Sequence, residues 1–228
     1  MTTPTRPSSK LRSFEAAAIA GLAHTILSLL ATASFMRPPS PADDPVAATE
    51  WYGDPANQRS MIAGLNLLII GSIAFIWFVA VIRRRVGERE NRFFGSVFFG
   101  SSLVLVGTWL VAGLLLVTPA LSAYLYDTTP DVGDVASFRA AGLTLSSVIA
   151  TRLEAVFIIS STTVARLSGA FPKPLIVVGY ATGVTLLVVP LPNQWMTWVF
   201  PVWVGMVSTY MLVRRQQMDS IATIEGAA

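Results

Sequence analysis

The sequence predicts an all-α protein: a polytopic membrane bundle of six transmembrane helices with both termini cytoplasmic. Three observations carry that prediction. Six apolar stretches of spanning length lie along 228 residues. Hydrophobic residues make up 53% of the chain and charged ones only 13%, where a soluble domain carries about 25% charged residues. Lys and Arg are dense in every second loop and sparse in the others.

A helix needs roughly 20 mostly apolar residues to cross the hydrocarbon core. The six stretches cover about residues 14–36, 61–82, 93–118, 140–165, 175–191 and 195–213. Backbone in lipid must be hydrogen-bonded internally, and the alternation of a barrel strand is absent, so each stretch reads as a helix. Residues 1–13 form an N-terminal tail, 14–213 the transmembrane domain and 214–228 a C-terminal tail. Within the domain, 37–60 and 119–139 read as outer loops and 83–92 as a cytoplasmic loop. Pro192-Asn193-Gln194 leaves only a tight turn between the last two helices, which places Trp195 and Trp198 at the outer headgroup level.

Orientation follows from the basic residues. Arg6, Lys10, Arg12, Arg83, Arg84, Arg85, Arg89, Arg92, Arg166, Lys173, Arg214 and Arg215 fall on one side. The other side has only Arg37, Arg59 and Arg139, against the acids Asp43, Asp44, Glu50, Asp54, Asp127, Asp131 and Asp134. The basic side is read as cytoplasmic. The net charge of +3 does not point to nucleic acid, because the basic residues sit where topology already explains them. Ala31-Thr32-Ala33 resembles a small-residue cleavage site, but the first stretch is long enough to span and is read as retained.

Ionisable side chains at mid-membrane are costly, about 2.5–3.5 kcal/mol on insertion scales, and by default mark function. His24 falls at the middle of the first stretch, and Arg152 and Glu154 at the middle of the fourth. Thr144, Ser147, Thr151, Glu154 and Ser161 share one face at helical spacing. Ala17, Gly21, His24, Ser28 and Ala31 do the same on the first helix, as a seam of small residues that favours close approach. If the two seams pack together, His24 and Glu154 hydrogen-bond, and with Thr151 and Ser147 they form a ligand site or proton path. Polar residues that only lock helices together are the competing reading. Arg152 lies about 200° from Glu154 around the helix. It snorkels outward, pairs with a polar group such as Asn66, or meets another subunit or an anionic lipid.

Weaker signals complete the reading. Gly179-Tyr-Ala-Thr-Gly183 is a GxxxG, more often intrachain packing than dimerisation. Ser96, Gly100 and Gly107 form a similar stripe. Pro201 is expected to kink the sixth helix, and Glu15 to open the first. Trp51 and Tyr52 read as interfacial anchors in an outer connector or cap.

There is no cysteine, and neither a phosphate-binding glycine loop nor a metalloprotease or hydrolase motif. No metal site and no cofactor are expected: one histidine and one acid are too few ligands. The AIAGL opening of the first helix (residues 18–22), the long outer loop and the arginine-rich second–third loop resemble uncharacterised multi-pass proteins of bacterial plasma membranes. That resemblance implies a bacterial inner-membrane location and lends no residue a role. The functional expectation is non-enzymatic binding, as an accessory subunit of a membrane complex or a holder of a lipid or apolar ligand. Membrane lipids, another membrane subunit or a second copy are the expected partners. The alternative is a small transporter or proton-coupled carrier using Glu154 and His24.

Overall fold

The computed structural model describes residues 9–86, 92–189 and 194–225, with side chains described over 15–83, 96–189 and 195–214 and at Gln216. Arg6, Lys10, Arg12, Arg84, Arg85, Arg89, Arg92 and Arg215, and the turn Pro192-Asn193, lie outside the residues whose side chains are described. Eight α-helices follow in order: α1 Ser9–Phe35, α2 Pro45–Gly53, α3 Pro55–Val86, α4 Arg92–Tyr126, α5 Val132–Thr144, α6 Thr151–Leu167, α7 Lys173–Val188 and α8 Val199–Glu225. A π-helical turn, Leu145–Ala150, joins α5 to α6, and a 3-10 turn, Gln194–Trp198, leads into α8. No strand occurs among the described residues.

Five segments are long and apolar enough to cross a membrane: Glu15–Phe35, Pro55–Arg83, Ser96–Tyr126, Val132–Leu167 and Trp195–Arg214. Their outward faces carry bulky apolar side chains such as Ile26, Ile70, Val104 and Trp77, the last 68% exposed. An apolar exterior this continuous is tolerated where lipid covers it. The chain is a membrane-embedded, multi-pass helical bundle.

Local chemistry sets the helix ends. Asp44 caps α2, its Oδ1 accepting from Ala47 N at 2.9 Å, with Pro45 at the first helical position. Asp54 does the same for α3, accepting from Ala56 N at 2.6 Å ahead of Pro55. Asp131 caps α5 through Gly133 N at 2.7 Å. Each carboxylate satisfies a first-turn donor the helix cannot. After α6 the chain reverses at Gly169, whose φ of +67° suits glycine, and Ala170 N bonds back to Ala165 O at 2.9 Å.

Around the bundle, α1 lies between α3 and α8, α3 packs on α4, α4 on α6, and α6 on α7. Small residues allow these approaches. A Cβ at Gly21 would meet Phe78 of α3 at 2.8 Å and also the Ser208 hydroxyl of α8. Gly179 and Gly183 of α7 press on Thr162 and Ile159 of α6, so the GxxxG is used within the chain. Gly100 and Gly107, in contrast, face open space. The centre is aromatic: Phe75 of α3 lies 5.2 Å from Trp109 of α4, 5.2 Å from Phe157 of α6 and 5.6 Å from Phe200 of α8.

Several expectations are corrected. The connector at 119–139 is mostly helix: α4 continues through Pro119 to Tyr126, and α5 starts at Val132. The 37–60 loop folds into α2, which packs on α3, α4 and α5 and forms a cap over that end of the bundle. Tyr52 is not an interfacial anchor. It is fully buried beside Arg139, and its backbone carbonyl accepts from Gln58 Nε2 at 3.0 Å. Burial pushes its phenol above the usual value, with the nearby Arg139 guanidinium partly offsetting that. Pro201 lies in the first turn of α8, where no intrahelical hydrogen bond is lost, so it is a starter and not a kink. Because α1 begins at Ser9, Glu15 lies in its second turn.

Among the described residues, α7 ends at Val188 and the chain resumes in the 3-10 turn at Gln194. At 16 residues α7 spans about 24 Å, less than the roughly 30 Å hydrocarbon core. At the start of α8, the Pro201 carbonyl accepts from the Thr25 hydroxyl at 3.1 Å, level with the middle of α1. Trp195 is 72% exposed, in the 3-10 turn that leads into α8.

Gly21→Val is expected to destabilise the bundle by about 1–3 kcal/mol through overpacking, while Gly100→Val, in open space, leaves it unchanged. Thermal unfolding in detergent compares the two; equal midpoints would contradict the close α1–α3–α8 contact.

Candidate functional site

His24 and Glu154 both lie deep in the bundle, 1% and 3% exposed. His24 Nδ1 is 3.0 Å from the Gly71 carbonyl oxygen of α3. A carbonyl only accepts, so Nδ1 carries hydrogen and donates, and in the neutral ring Nε2 keeps its lone pair. Ser28 Oγ lies 3.2 Å from the same Nδ1. Nε2 has no hydrogen-bond partner among the described residues. Glu154 Oε1 accepts from Trp109 Nε1 at 3.0 Å, and Oε2 has no partner among the described residues.

The expected hydrogen bond between His24 and Glu154 is not formed. The two seams do not pack on each other, because α1 turns its small residues to α3 and α8. Trp109 of α4 stands between them. Its ring stacks on the imidazole, centroids 5.3 Å apart at 23°, while its N–H holds the carboxylate. The imidazole is enclosed further by Phe75 at 4.9 Å and Phe200 at 6.2 Å. Trp109 was missed in the sequence. The available signal was position: tryptophan favours the membrane interface, and Trp109 lies mid-helix, where its N–H needs an acceptor.

Ser147 and Thr151 are buried as expected, but their hydroxyls are engaged by their own helix. Ser147 Oγ donates to Leu143 O at 2.6 Å, and Thr151 Oγ1 lies 2.9 Å from Ser147 O and 3.3 Å from Ser146 O. They serve the π turn, whose widened backbone leaves carbonyls to satisfy. The same turn adds a residue to the register, so Thr144 falls on an exposed surface and the polar stripe is broken there.

Among the described residues Arg152 pairs neither with Asn66 nor with a carboxylate. Asn66 Nδ2 donates to Ile62 O in its own helix. The Arg152 guanidinium donates to Val148 O at 3.2 Å and to Val189 O at 2.7 Å, just past the end of α7. A cation there complements the helix dipole and satisfies an orphan carbonyl. Arg152 thus fixes where α7 stops.

A cavity of about 60 Å³ lies between α1, α3, α4, the α5–α6 segment and the start of α8. Its walls include His24, Ser28, Thr32 and Phe35 of α1, Trp109 and Leu116 of α4, Ser146, Glu154, and Thr197 and Pro201 beside α8. It is partly open and runs from mid-depth toward the cap end; along α1 the lining from His24 to Met36 covers about 18 Å. One water requires roughly 10–15 Å³ measured this way, so several fit. Among the described residues no group of three or more His, Asp or Glu lies close enough to hold a metal ion.

Trp109→Phe keeps the ring and removes the donor. It is expected to cost about 1–3 kcal/mol, since a buried carboxylate oxygen loses its partner. Arg152→Met should destabilise by a similar amount and increase hydrogen exchange at the end of α7. Melting curves and exchange mass spectrometry check both, and an unchanged α7 end would contradict the capping role.

Comparison with protein-family models, with curated proteins and with solved structures gives no match to this chain.

Proposed function

We propose that the protein is a non-enzymatic, multi-pass protein of a bacterial inner membrane that binds a small solute in the cap-end cavity, as a small carrier with Glu154 and His24 at its floor. In this reading α7 completes a set of six spans, both termini are cytoplasmic, and the cap faces outward. The supporting observation is the joint presence of two buried ionisable side chains, each with an unpartnered atom, in the wall of one partly open cavity. A bundle that used polar residues only as glue would close them onto each other. The Arg-rich end and the acidic cap end agree with the orientation.

A second reading keeps the protein as a holder of a lipid or other apolar ligand, or as an accessory subunit that presents one. Phe35, Met36, Leu68, Ala112 and Leu116 favour it, because most of the upper wall is apolar.

The chain has no cysteine, so introduced cysteines are its only thiols. With a charged, membrane-impermeant thiol reagent on intact cells, Ala42→Cys is expected to react, and Ser168→Cys only after permeabilisation. The reverse pattern would overturn the orientation. Thr32→Cys and Ser28→Cys should react from outside, while Leu30→Cys, on the apolar outer face, should not. If positions 28 and 32 react only with a membrane-soluble reagent, apolar-ligand holding replaces solute binding.

A further inference from the structure

We infer that the solute is a small protonated amine, ammonium or a short primary alkylammonium, whose N–H donors are taken by Glu154 and His24. The inference rests on the carrier reading and adds the chemistry of the occupant.

Hydrogen-bond accounting comes first. His24 Nδ1 is committed as a donor to the Gly71 carbonyl, so the unpartnered Nε2 of the neutral ring is an acceptor. Glu154 Oε1 is taken by Trp109, and in the ionised carboxylate the unpartnered Oε2 is also an acceptor. The floor of the cavity thus has two buried acceptors in need of donors. An occupant that brings several N–H groups answers that need, and one that brings only lone pairs does not.

Charge comes second. Among the described residues no Lys or Arg lines the cavity, so none of them supplies the carboxylate with a countercharge there. Arg152, the nearest basic residue in sequence, is held at the end of α7. A water molecule supplies donors without charge; a protonated amine supplies both. The cap-end surface repeats the sign, with Asp43, Asp44, Glu50, Asp54, Asp127, Asp131 and Asp134 all exposed. Such a field concentrates cations at the mouth and repels anions.

Shape comes third. A cavity of about 60 Å³ admits only a few heavy atoms. The indole of Trp109 lines the same floor, and an aromatic face attracts a cation. A bare alkali ion prefers a shell of oxygen ligands, and this wall holds only one carboxylate and a few hydroxyls. The apolar upper wall instead suits a short alkyl group behind an ammonium head.

The test uses the full-length chain in nanodiscs and follows alkylation of Ser28→Cys, one helical turn above His24. Ammonium and methylammonium should slow it saturably, by about tenfold at ten times the dissociation constant, as occupancy requires. Thr32→Cys, nearer the mouth, should slow less. Potassium, which has no N–H, and tetramethylammonium, which is charged but has no donor, should have no effect at equal ionic strength. Glu154→Gln should abolish the protection, and Glu154→Asp should retain part of it. Equal protection by potassium or tetramethylammonium overturns the inference, and so does no protection by any amine. In both cases the reaction of Ser28→Cys itself leaves the water-filled cavity standing. If Ser28→Cys does not react or Glu154→Gln does not fold, the unmodified protein decides. Its melting temperature rises selectively with methylammonium over tetramethylammonium, or the inference falls.

Discussion

The hydrogen bond from Trp109 to Glu154 holds the centre of this bundle together. In lipid, burying apolar surface between helices yields little, because the tails are as apolar as the side chains. Association then relies on close packing and on polar groups that must find partners. Trp109 supplies both. Its N–H ties α4 to α6, and its ring stacks on His24 of α1 within a cluster that includes Phe75, Phe157 and Phe200. Four other helices thereby meet at one side chain or its immediate neighbours, and the carboxyl and imidazole are held apart at similar depth.

The second constraint is the early end of α7. Arg152 holds the Val189 carbonyl, and Thr25 holds the Pro201 carbonyl on the other arm of the hairpin. A charged side chain at this depth has few acceptors available, and the open end of a helix is one of them. The cavity lies beside the start of α8, where Thr197 and Pro201 line it. The π turn at 145–150 lies beside it, with Ser146 in its wall. The cap helix α2 packs on α3, α4 and α5 and links them at that end of the bundle.

The candidate site was partly legible in the chain. His24 and Glu154 stood out because ionisable groups are rare in spanning helices, and both are buried in one cavity wall. Their direct pairing was inferred from matched seams. It fails because a seam shows which face of a helix is small, not which neighbour takes that face. Thr144 looked like the start of the polar stripe, but a 3.6-residue period does not survive the extra residue of a π turn, and Thr144 is exposed while Ser147 and Thr151 stay buried. Trp109 looked like one more apolar residue because composition does not record where an N–H points.

By itself the sequence determined the class of the protein. Long apolar stretches admit only helices in lipid, most Lys and Arg residues fall in alternate connections, and the Asp–Pro pairs at 44–45 and 54–55 mark the starts of α2 and α3. These are local properties, set by each segment and its solvent. Which helices touch and which atoms remain unpartnered were decided only in the tertiary structure. Those outcomes depend on contacts between residues far apart in the chain: Trp109 with Glu154, Arg152 with Val189, Thr25 with Pro201. No periodicity within one segment encodes such a pairing.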